Sequence, residues 1–184
     1  MNKITIKKVA VIGSGIMGSR IACHFANIGV KVLLLDICPK ELSEEEKKKG
    51  LNLKNKIVRN RIVTSSFLNT LKTKPKSFYL DENKKNISLG NIEDDINKIS
   101  EVDWVIEVVV EKLEIKKSVF EKIEKHRKKG TLITSNTSGI PVKQMIEERS
   151  PDFVKNFCVT HFFNPPRYMK LLEIVPGEKT KKEI

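Results

Sequence analysis

The chain has 184 residues, of which 39% are hydrophobic and 32% charged, and this length suits one domain with a core of its own. Its net charge of +12 is spread along the sequence without a recognition motif, which favours a solvated surface, or an anionic small-molecule substrate, over nucleic-acid binding. Apolar runs are too short to span a bilayer, so we expect no membrane partner.

The N-terminus and the cysteines indicate the compartment. Residues 1–13 lack the long apolar region and the small-residue cleavage site of a signal peptide. Cys23, Cys38 and Cys158 form no C-x-x-C pair, and an odd number of cysteines is typical of reduced thiols. We therefore expect a cytoplasmic protein, and we predict no metal site.

The first predicted elements are a strand, a glycine turn and a helix. Residues 9–12 have the β-branched, apolar character of a strand buried on both faces. Gly13, Gly15 and Gly18 follow in the pattern G-x-G-x-x-G. The first glycine permits a tight turn, the second lets a pyrophosphate approach the main chain, and the third lets the helix lie close to its strand. A helix over 16–28 then directs its free N–H groups at that phosphate.

A second strand over 32–35 leads to an acid that is suited to hold an adenosine ribose. Asp36 follows the glycine turn by about 20 residues, which is the spacing of dinucleotide-binding proteins. Its carboxylate would repel a 2′-phosphate, and Ile37 and Cys38 offer no arginine to receive one. The cofactor expected is therefore NAD rather than NADP. The alternative is a tight strand-to-helix turn in which Asp36 is a solvated acid.

Residues 40–86 leave the alternating pattern and predict a helical excursion between the second and third strands. A polar helix ends at Gly50, and a second, partly packed helix covers 54–71. Such an excursion is usually an insertion or a flap that faces substrate. Its basic residues belong either to a site for a polyanionic substrate or, as we favour, to a solvated helix face: Lys54, Lys56, Arg59 and Arg61.

The rest of the chain continues to alternate between strands and helices. Further strands are predicted at 87–89, 104–110, 131–134, 157–163 and 170–175, with helices at 93–99, 112–129 and 141–148. This order predicts an α/β, doubly wound, mostly parallel Rossmann-like sheet that binds ligands at the carboxyl ends of its strands. Glu107 interrupts an apolar strand, where a carboxylate needs either a partner or a position at the wet end of the strand.

A second group of polar residues follows the fifth and sixth strands. His161 lies near the end of the sixth strand, and Glu173 is flanked by aliphatic residues in LLEIV. An acid beside an imidazole orients its tautomer and stabilises the imidazolium. The alternative, to which the residues alone give equal weight, is an edge strand with Glu173 in water. Ser138 follows the fifth strand and opens onto the same edge, although alone it is only a loop serine.

At these residues the chain resembles the 3-hydroxyacyl-CoA dehydrogenases of fatty-acid β-oxidation. The motifs that carry the resemblance are GSGIMG at 13–18, SNTSG at 135–139, HFFNP at 161–165 and KLLE at 170–173. The segments ISLGNIEDD and DWVIEVVVEKLEIKK are most similar to long bacterial versions that also carry an enoyl-CoA hydratase domain.

The resemblance implies roles for individual residues. His161 would be the general base and Glu173 its partner, Ser138 would hydrogen-bond the substrate oxygen, and Asn164 would border the same pocket. Glu111 and Lys116 would lie near the nicotinamide ribose. With the glycine motif, the residues expected to bind the cofactor are Gly13, Gly15, Ile16, Met17, Gly18, Asp36, Glu111 and Lys116.

The function implied is oxidation of a (3S)-hydroxyacyl-CoA to a 3-ketoacyl-CoA with hydride transfer to NAD⁺. Residues 1–184 would form the NAD-binding domain, and the helical C-terminal domain of the family, which completes the acyl-CoA pocket and makes the homodimer, is not in this chain. We therefore expect the chain alone to bind NAD with little turnover. The alternatives are a non-catalytic NAD-binding protein on this scaffold, and another NAD-dependent hydroxyacid dehydrogenase that uses a lysine in a later helix.

Overall fold

The computed structural model describes residues 5–184, in which seven strands form one sheet. The strands are β1 (Lys8–Ile12), β2 (Lys31–Asp36), β3 (Ile87–Asn91), β4 (Trp104–Glu107), β5 (Leu132–Ser135), β6 (Phe157–Phe162) and β7 (Leu172–Pro176). Their order across the sheet is β3-β2-β1-β4-β5-β6-β7, with β1 to β6 parallel and β7 antiparallel to β6. The predicted doubly wound, mostly parallel sheet is confirmed.

Helices connect the strands. They are α1 (Ile16–Asn27), α2 (Glu44–Lys48), α3 (Lys56–Arg59), α4 (Arg61–Lys72), α5 (Ile92–Asp95), α6 (Leu113–His126), α7 (Val142–Met145) and α8 (Pro151–Lys155), with 3₁₀ turns at Asp81–Asn86 and Ile96–Glu101. The helices α2 to α4 form the predicted excursion between β2 and β3. The interpretation of residues 1–13 as free of a signal peptide falls partly on residues 1–4, which lie outside the described residues.

The central strands of the sheet are buried on both faces, as the apolar run of β1 predicts, whereas the edge strand β7 is exposed along its length. Val9 and Val11 point to one face, where α1 and α4 pack. Ala10 and Ile12 point to the other, where α6, α7 and α8 pack. Within residues 5–184, no helix combines the length and the apolar character needed to cross a membrane.

Several predicted boundaries are wrong, and local hydrogen bonds explain two of them. The fourth strand ends at Glu107 rather than at residue 110, because the Val109 N–H turns back to the Glu107 carboxylate. The region after the fifth strand contains a second short helix, α8, which was not predicted. Ser150 caps it by accepting a hydrogen bond from the Phe153 N–H, and Pro151 occupies its first turn, as is common at helix starts.

Candidate active site and dinucleotide site

The glycine turn between β1 and α1 is held by close backbone contacts. Gly13 has a φ of +102°, and a Cβ there would lie 2.5 Å from the Val108 carbonyl oxygen. A Cβ on Gly18 would lie 1.8 Å from the Gly13 carbonyl oxygen, so only glycine lets α1 sit this close to the turn. At Gly15, by contrast, an added Cβ meets nothing within 4 Å in the described structure apart from its own neighbours in the chain. The main chain at Gly15 is therefore open to a ligand.

The first turn of α1 has donors to offer such a ligand. Gly15 is the N-cap, and in the described part of the chain no side chain caps the helix. The Ser19 N–H bonds the Gly15 carbonyl, whereas the N–H groups of Ile16 and Met17 have no partner among residues 5–184. Free N–H groups at a helix N-terminus are the usual site for a phosphate. This part of the chain fits a dinucleotide pyrophosphate.

Asp36 is tied to the same turn. Its Oδ2 accepts hydrogen bonds from the backbone N–H of Ser14, at 2.6 Å, and from the Ser14 hydroxyl. Its Oδ1 accepts from the Ile37 N–H at 2.7 Å. The structure therefore brings the predicted ribose-binding acid to the glycine turn.

One of the basic residues of the excursion, Arg59, pairs with an acid next to the segment that follows Asp36. Arg59, from α3, donates from Nε and Nη2 to the two carboxylate oxygens of Asp94, at 2.5 and 2.7 Å. The neighbouring Glu93 accepts a hydrogen bond from the Cys38 N–H at 3.1 Å. The sequence marked Arg59 only as one of the basic residues of the excursion, and its pairing with Asp94, 35 residues later, has no local signal.

His161 and Glu173 face each other across the last pair of strands. They are direct partners in the antiparallel register of β6 and β7, and His161 Nδ1 lies 2.8 Å from Glu173 Oε2. The His161 side chain is 22% exposed and that of Glu173 51% exposed. The pair is therefore reachable from solvent, and the carboxylate is positioned to hold one imidazole nitrogen.

A cavity of about 200 Å³ joins this pair to the loop after β5. Ser138 lines it together with His161 and Glu173, and the start of α7 closes one side. Asn164 does not line this cavity. Its amide oxygen accepts a hydrogen bond from Arg20 of α1, which places Asn164 on the α1 side of the sheet edge.

Lys116 lies inside the protein between two carboxylates. Its Nζ is 2.8 and 3.0 Å from the two oxygens of Glu107 and 3.2 Å from Glu111. The Lys116 side chain is 1% exposed and that of Glu107 0%. Burial raises the pKa of Glu107, and the charge of Lys116 opposes that rise. Glu107, the carboxylate that interrupts the apolar strand, thus has a partner, which was one of the two arrangements predicted from the sequence.

The second carboxylate, Glu111, holds the Ser138 loop. Its oxygen accepts a hydrogen bond from the Thr137 hydroxyl, which in turn accepts from the Ile140 N–H at 3.1 Å. Burial acts to raise the pKa of Glu111, but the Thr137 hydrogen bond and the Lys116 charge outweigh it and hold the pKa low. On the other side of the loop, Asn136 accepts from the Phe162 N–H at 2.8 Å, next to His161.

The register of the parallel strands places both sites on one edge of the sheet. Ile12, just before the glycine turn, pairs with Glu107, and Glu107 pairs with Ser135 at the start of the serine loop. Ser135 pairs with Val159, two residues before His161. A ligand that lies along the carboxyl edge can therefore contact the glycine turn and the histidine together.

Comparison with known proteins identifies relatives. Residues 8–184 match the family described as 3-hydroxyacyl-CoA dehydrogenase, NAD binding domain. A "Probable 3-hydroxyacyl-CoA dehydrogenase" of Bacillus subtilis is 52% identical over 97% of this chain and 23% of its own length. A "Putative fatty acid oxidation complex trifunctional enzyme" of Rickettsia felis is 43% identical over 97% of this chain and 23% of its own length.

Solved structures agree with the fold. A 3-hydroxybutyryl-CoA dehydrogenase from Escherichia coli superposes with a TM-score of 0.68 at 32% identity, over 97% of this chain and 34% of that one. The chain therefore spans about a quarter to a third of the length of these relatives.

Proposed function

The chain belongs to the family of 3-hydroxyacyl-CoA dehydrogenase NAD-binding domains, and from that premise we propose that it is the NAD-binding domain of an enzyme that oxidises (3S)-hydroxyacyl-CoA to 3-ketoacyl-CoA in fatty-acid oxidation. The observation that supports this most is the contact of His161 with Glu173 at 2.8 Å, in a cavity shared with Ser138. These three residues supply a base, its orienting acid and a hydroxyl donor.

The residues at the glycine turn suit the cofactor. The N–H groups of Ile16 and Met17 would bind the pyrophosphate, the open main chain at Gly15 would let it approach, and Asp36 would accept hydrogen bonds from the adenosine ribose. Glu111 would serve the second ribose, held in place by Lys116. Bound NAD⁺ supplies the hydride acceptor.

His161 removes the hydroxyl proton of the substrate. When Nδ1 carries a hydrogen and donates it to Glu173, Nε2 has a free lone pair and accepts the proton as the carbonyl forms. The Glu173 carboxylate then stabilises the imidazolium. Ser138 donates a hydrogen bond to the same substrate oxygen, and Thr137 and Glu111 keep its loop in place.

The test is His161→Ala in the protein at the length of its relatives. A general base contributes about 100- to 10,000-fold, so we expect NADH-dependent reduction of acetoacetyl-CoA to slow by that order. NADH affinity should hardly change, because His161 lies away from the glycine turn. His126→Ala is the control, since His126 is half-buried at the end of α6, outside the candidate site, where its Nδ1 lies 2.8 Å from the Lys122 carbonyl oxygen. Unchanged turnover in His161→Ala would remove it from the role of base.

The chain alone is the second test. We expect residues 1–184 to bind NADH and to reduce acetoacetyl-CoA slowly or not at all, because the family places part of the acyl-CoA pocket in another domain. Robust reduction by this chain would contradict that division of the pocket, while leaving the roles of His161 and Glu173 intact.

A further inference from the structure

The guanidinium of Arg59 is held by one acid. Two of its nitrogens donate to the two oxygens of Asp94, at 2.5 and 2.7 Å, in the fork geometry that also recognises phosphate. The Arg59 side chain is 26% exposed and that of Asp94 is 45% exposed. The pair is thus accessible to a ligand, and Asp94 occupies the positions on Arg59 that a phosphate would use.

This pair lies beside the backbone that follows Asp36. In the sheet, Asp36 pairs with Asn91, so the first turn of α5 begins next to the end of β2. Glu93, in that turn, accepts a hydrogen bond from the Cys38 N–H at 3.1 Å. Burial and the Glu93 carboxylate raise the pKa of the Cys38 thiol to about 12, while the charge of Arg59 opposes the rise. Because Asp94, which binds Arg59, directly follows Glu93, which binds the Cys38 N–H, Arg59 is held next to the segment 37–38.

The pair lies in a groove that holds both cations and acids. This groove, of about 550 Å³, is lined by Lys54, Lys56 and Arg59 and also by Asn91, Asp94 and Asp95. Asp95 is paired with Lys98 at 2.6 Å, so Asp94 is the acid of the lining that holds Arg59. In dinucleotide-binding folds, the residues that follow the ribose-binding acid decide between a 2′-hydroxyl and a 2′-phosphate, and an arginine there accepts the phosphate. This chain has such an arginine close by in space, together with two lysines.

We propose that Asp94 is a specificity-determining residue that holds Arg59 away from a 2′-phosphate and so, together with Asp36, makes the site select NAD over NADP. The inference rests on the dinucleotide site at Asp36 and adds to it. Asp36 repels the extra phosphate directly, whereas Asp94 removes its receptor. Cofactor choice is thereby set in part from the helical excursion, through a contact that joins α3 to α5.

The experiment compares NADPH and NADH binding to the 184-residue chain. Asp94→Ala frees Arg59, and because a charge-assisted arginine–phosphate bond is strong, NADPH should bind about tenfold more tightly than to the unaltered chain. NADH affinity should stay unchanged, since it has no 2′-phosphate. Asn91, which donates to Asp94, keeps its hydrogen bond to Asn60, so the end of β3 remains supported. Asp94→Asn keeps the Asn91 contact and should give a smaller gain in the same direction.

A double variant shows whether a gain in NADPH affinity comes from the freed Arg59 or simply from the loss of one negative charge. Asp94→Ala/Arg59→Met should lose the gain in NADPH affinity. Glu44→Ala removes an acid on α2 that is ion-paired with Lys47 rather than with Arg59, and it should leave NADPH affinity unchanged. The proposal is overturned if Asp94→Ala binds NADPH no better than the unaltered chain, or if the gain persists in the double variant. Failure of the unaltered chain to bind NADH would overturn the dinucleotide site itself.

Discussion

The most deeply buried charges in the described structure are those of Glu107 and Lys116. Glu107 accepts two hydrogen bonds from Lys116 and one each from the Ser135 hydroxyl and the Val109 N–H. A buried carboxylate is tolerated only when such donors compensate its lost hydration. The attraction within the pair therefore matters less than the cost of losing one partner, because the other charge would then remain buried without compensation.

Replacing Lys116 alone should be strongly destabilising. Lys116→Met leaves Glu107 buried without its cation, and breaking a buried pair in this way costs about 3–5 kcal/mol of unfolding free energy. Glu107→Gln/Lys116→Met should recover most of that loss, because neither charge remains. Urea denaturation of the chain measures both.

The matched control is Lys125→Met on the same helix. Lys125 pairs with Glu121 at 2.7 Å, but both side chains are more than half exposed, at 65% and 54%. An exposed pair of this kind contributes about 1 kcal/mol or less. Equal stability of the Lys116→Met and Lys125→Met variants would show that burial of the pair does not govern its contribution.

At the scale of the residue, sequence reasoning identified the need for a partner without finding it. Glu107 stood out because it interrupts an apolar strand, a local signal. The resemblance placed Lys116 near the nicotinamide ribose, and its contact with Glu107 was not foreseen. Helix α6 must first fold back onto β4 before Lys116, in its first turn, meets Glu107, and spacing alone does not show that tertiary contact.

At the scale of the element, two glycines of the β1–α1 turn have different roles: Gly18 serves packing and Gly15 serves binding. Gly18→Ala should destabilise the chain by about 1–3 kcal/mol, because the new methyl meets a rigid carbonyl and α1 must shift. Gly15→Ala should leave stability nearly unchanged, since its new Cβ meets only its own chain neighbours within 4 Å in the described structure. It should nevertheless weaken NADH binding by obstructing the main chain. Urea denaturation and NADH titration of the two variants distinguish these effects.

The opposite pattern would contradict this division of roles. If Gly15→Ala bound NADH as tightly as the unaltered chain, the pyrophosphate would not approach the main chain at that residue. A fully stable Gly18→Ala would mean that α1 can move away from β1 without loss.

Element prediction succeeded where the signal was local. Apolar runs marked all seven strands, and glycine marked the end of α1, where Gly29 adopts a φ of +80°. The sequence predicted where the excursion lies in the chain but not where it packs in the folded molecule. Arg167 fastens it by donating to the Phe78 carbonyl, 89 residues away, and by stacking 4.1 Å from the Tyr79 ring. Contacts between residues so far apart in the chain produce no pattern in the local sequence.

For the whole molecule, strand order decides whether the candidate site exists. The sequence predicted strands in order but not the direction of β7, and so the residues alone left open whether Glu173 faced water or His161. The antiparallel return of β7 makes the two residues register partners. The carboxylate is still half exposed, so both interpretations described part of the arrangement.

The pH dependence of stability is also a property of the whole molecule, because the pKa values of several carboxylates are shifted in the same direction, downward. Hydrogen bonds from paired cations hold the pKa low in four acids, namely Asp94 with Arg59, Glu101 with Lys8, Glu121 with Lys125 and Glu147 with Lys117. A folded-state pKa below the unfolded one stabilises the protein above the unfolded value, and this contribution is lost as the pH falls. Glu107, with its raised pKa, acts in the opposite sense, but it is a single group.

We therefore expect the unfolding free energy to fall as the pH drops through the ordinary values of 4.5 for glutamate and 3.8 for aspartate, and to keep falling below them. The decline should be gradual, because these four pairs are exposed and each contributes little. Protonation also adds positive charge to a chain that already carries +12, so self-repulsion acts in the same direction. Urea denaturation between about pH 7 and about pH 3 measures the trend. Stability that rises toward acid pH would mean that Glu107, rather than the paired surface carboxylates, dominates the balance.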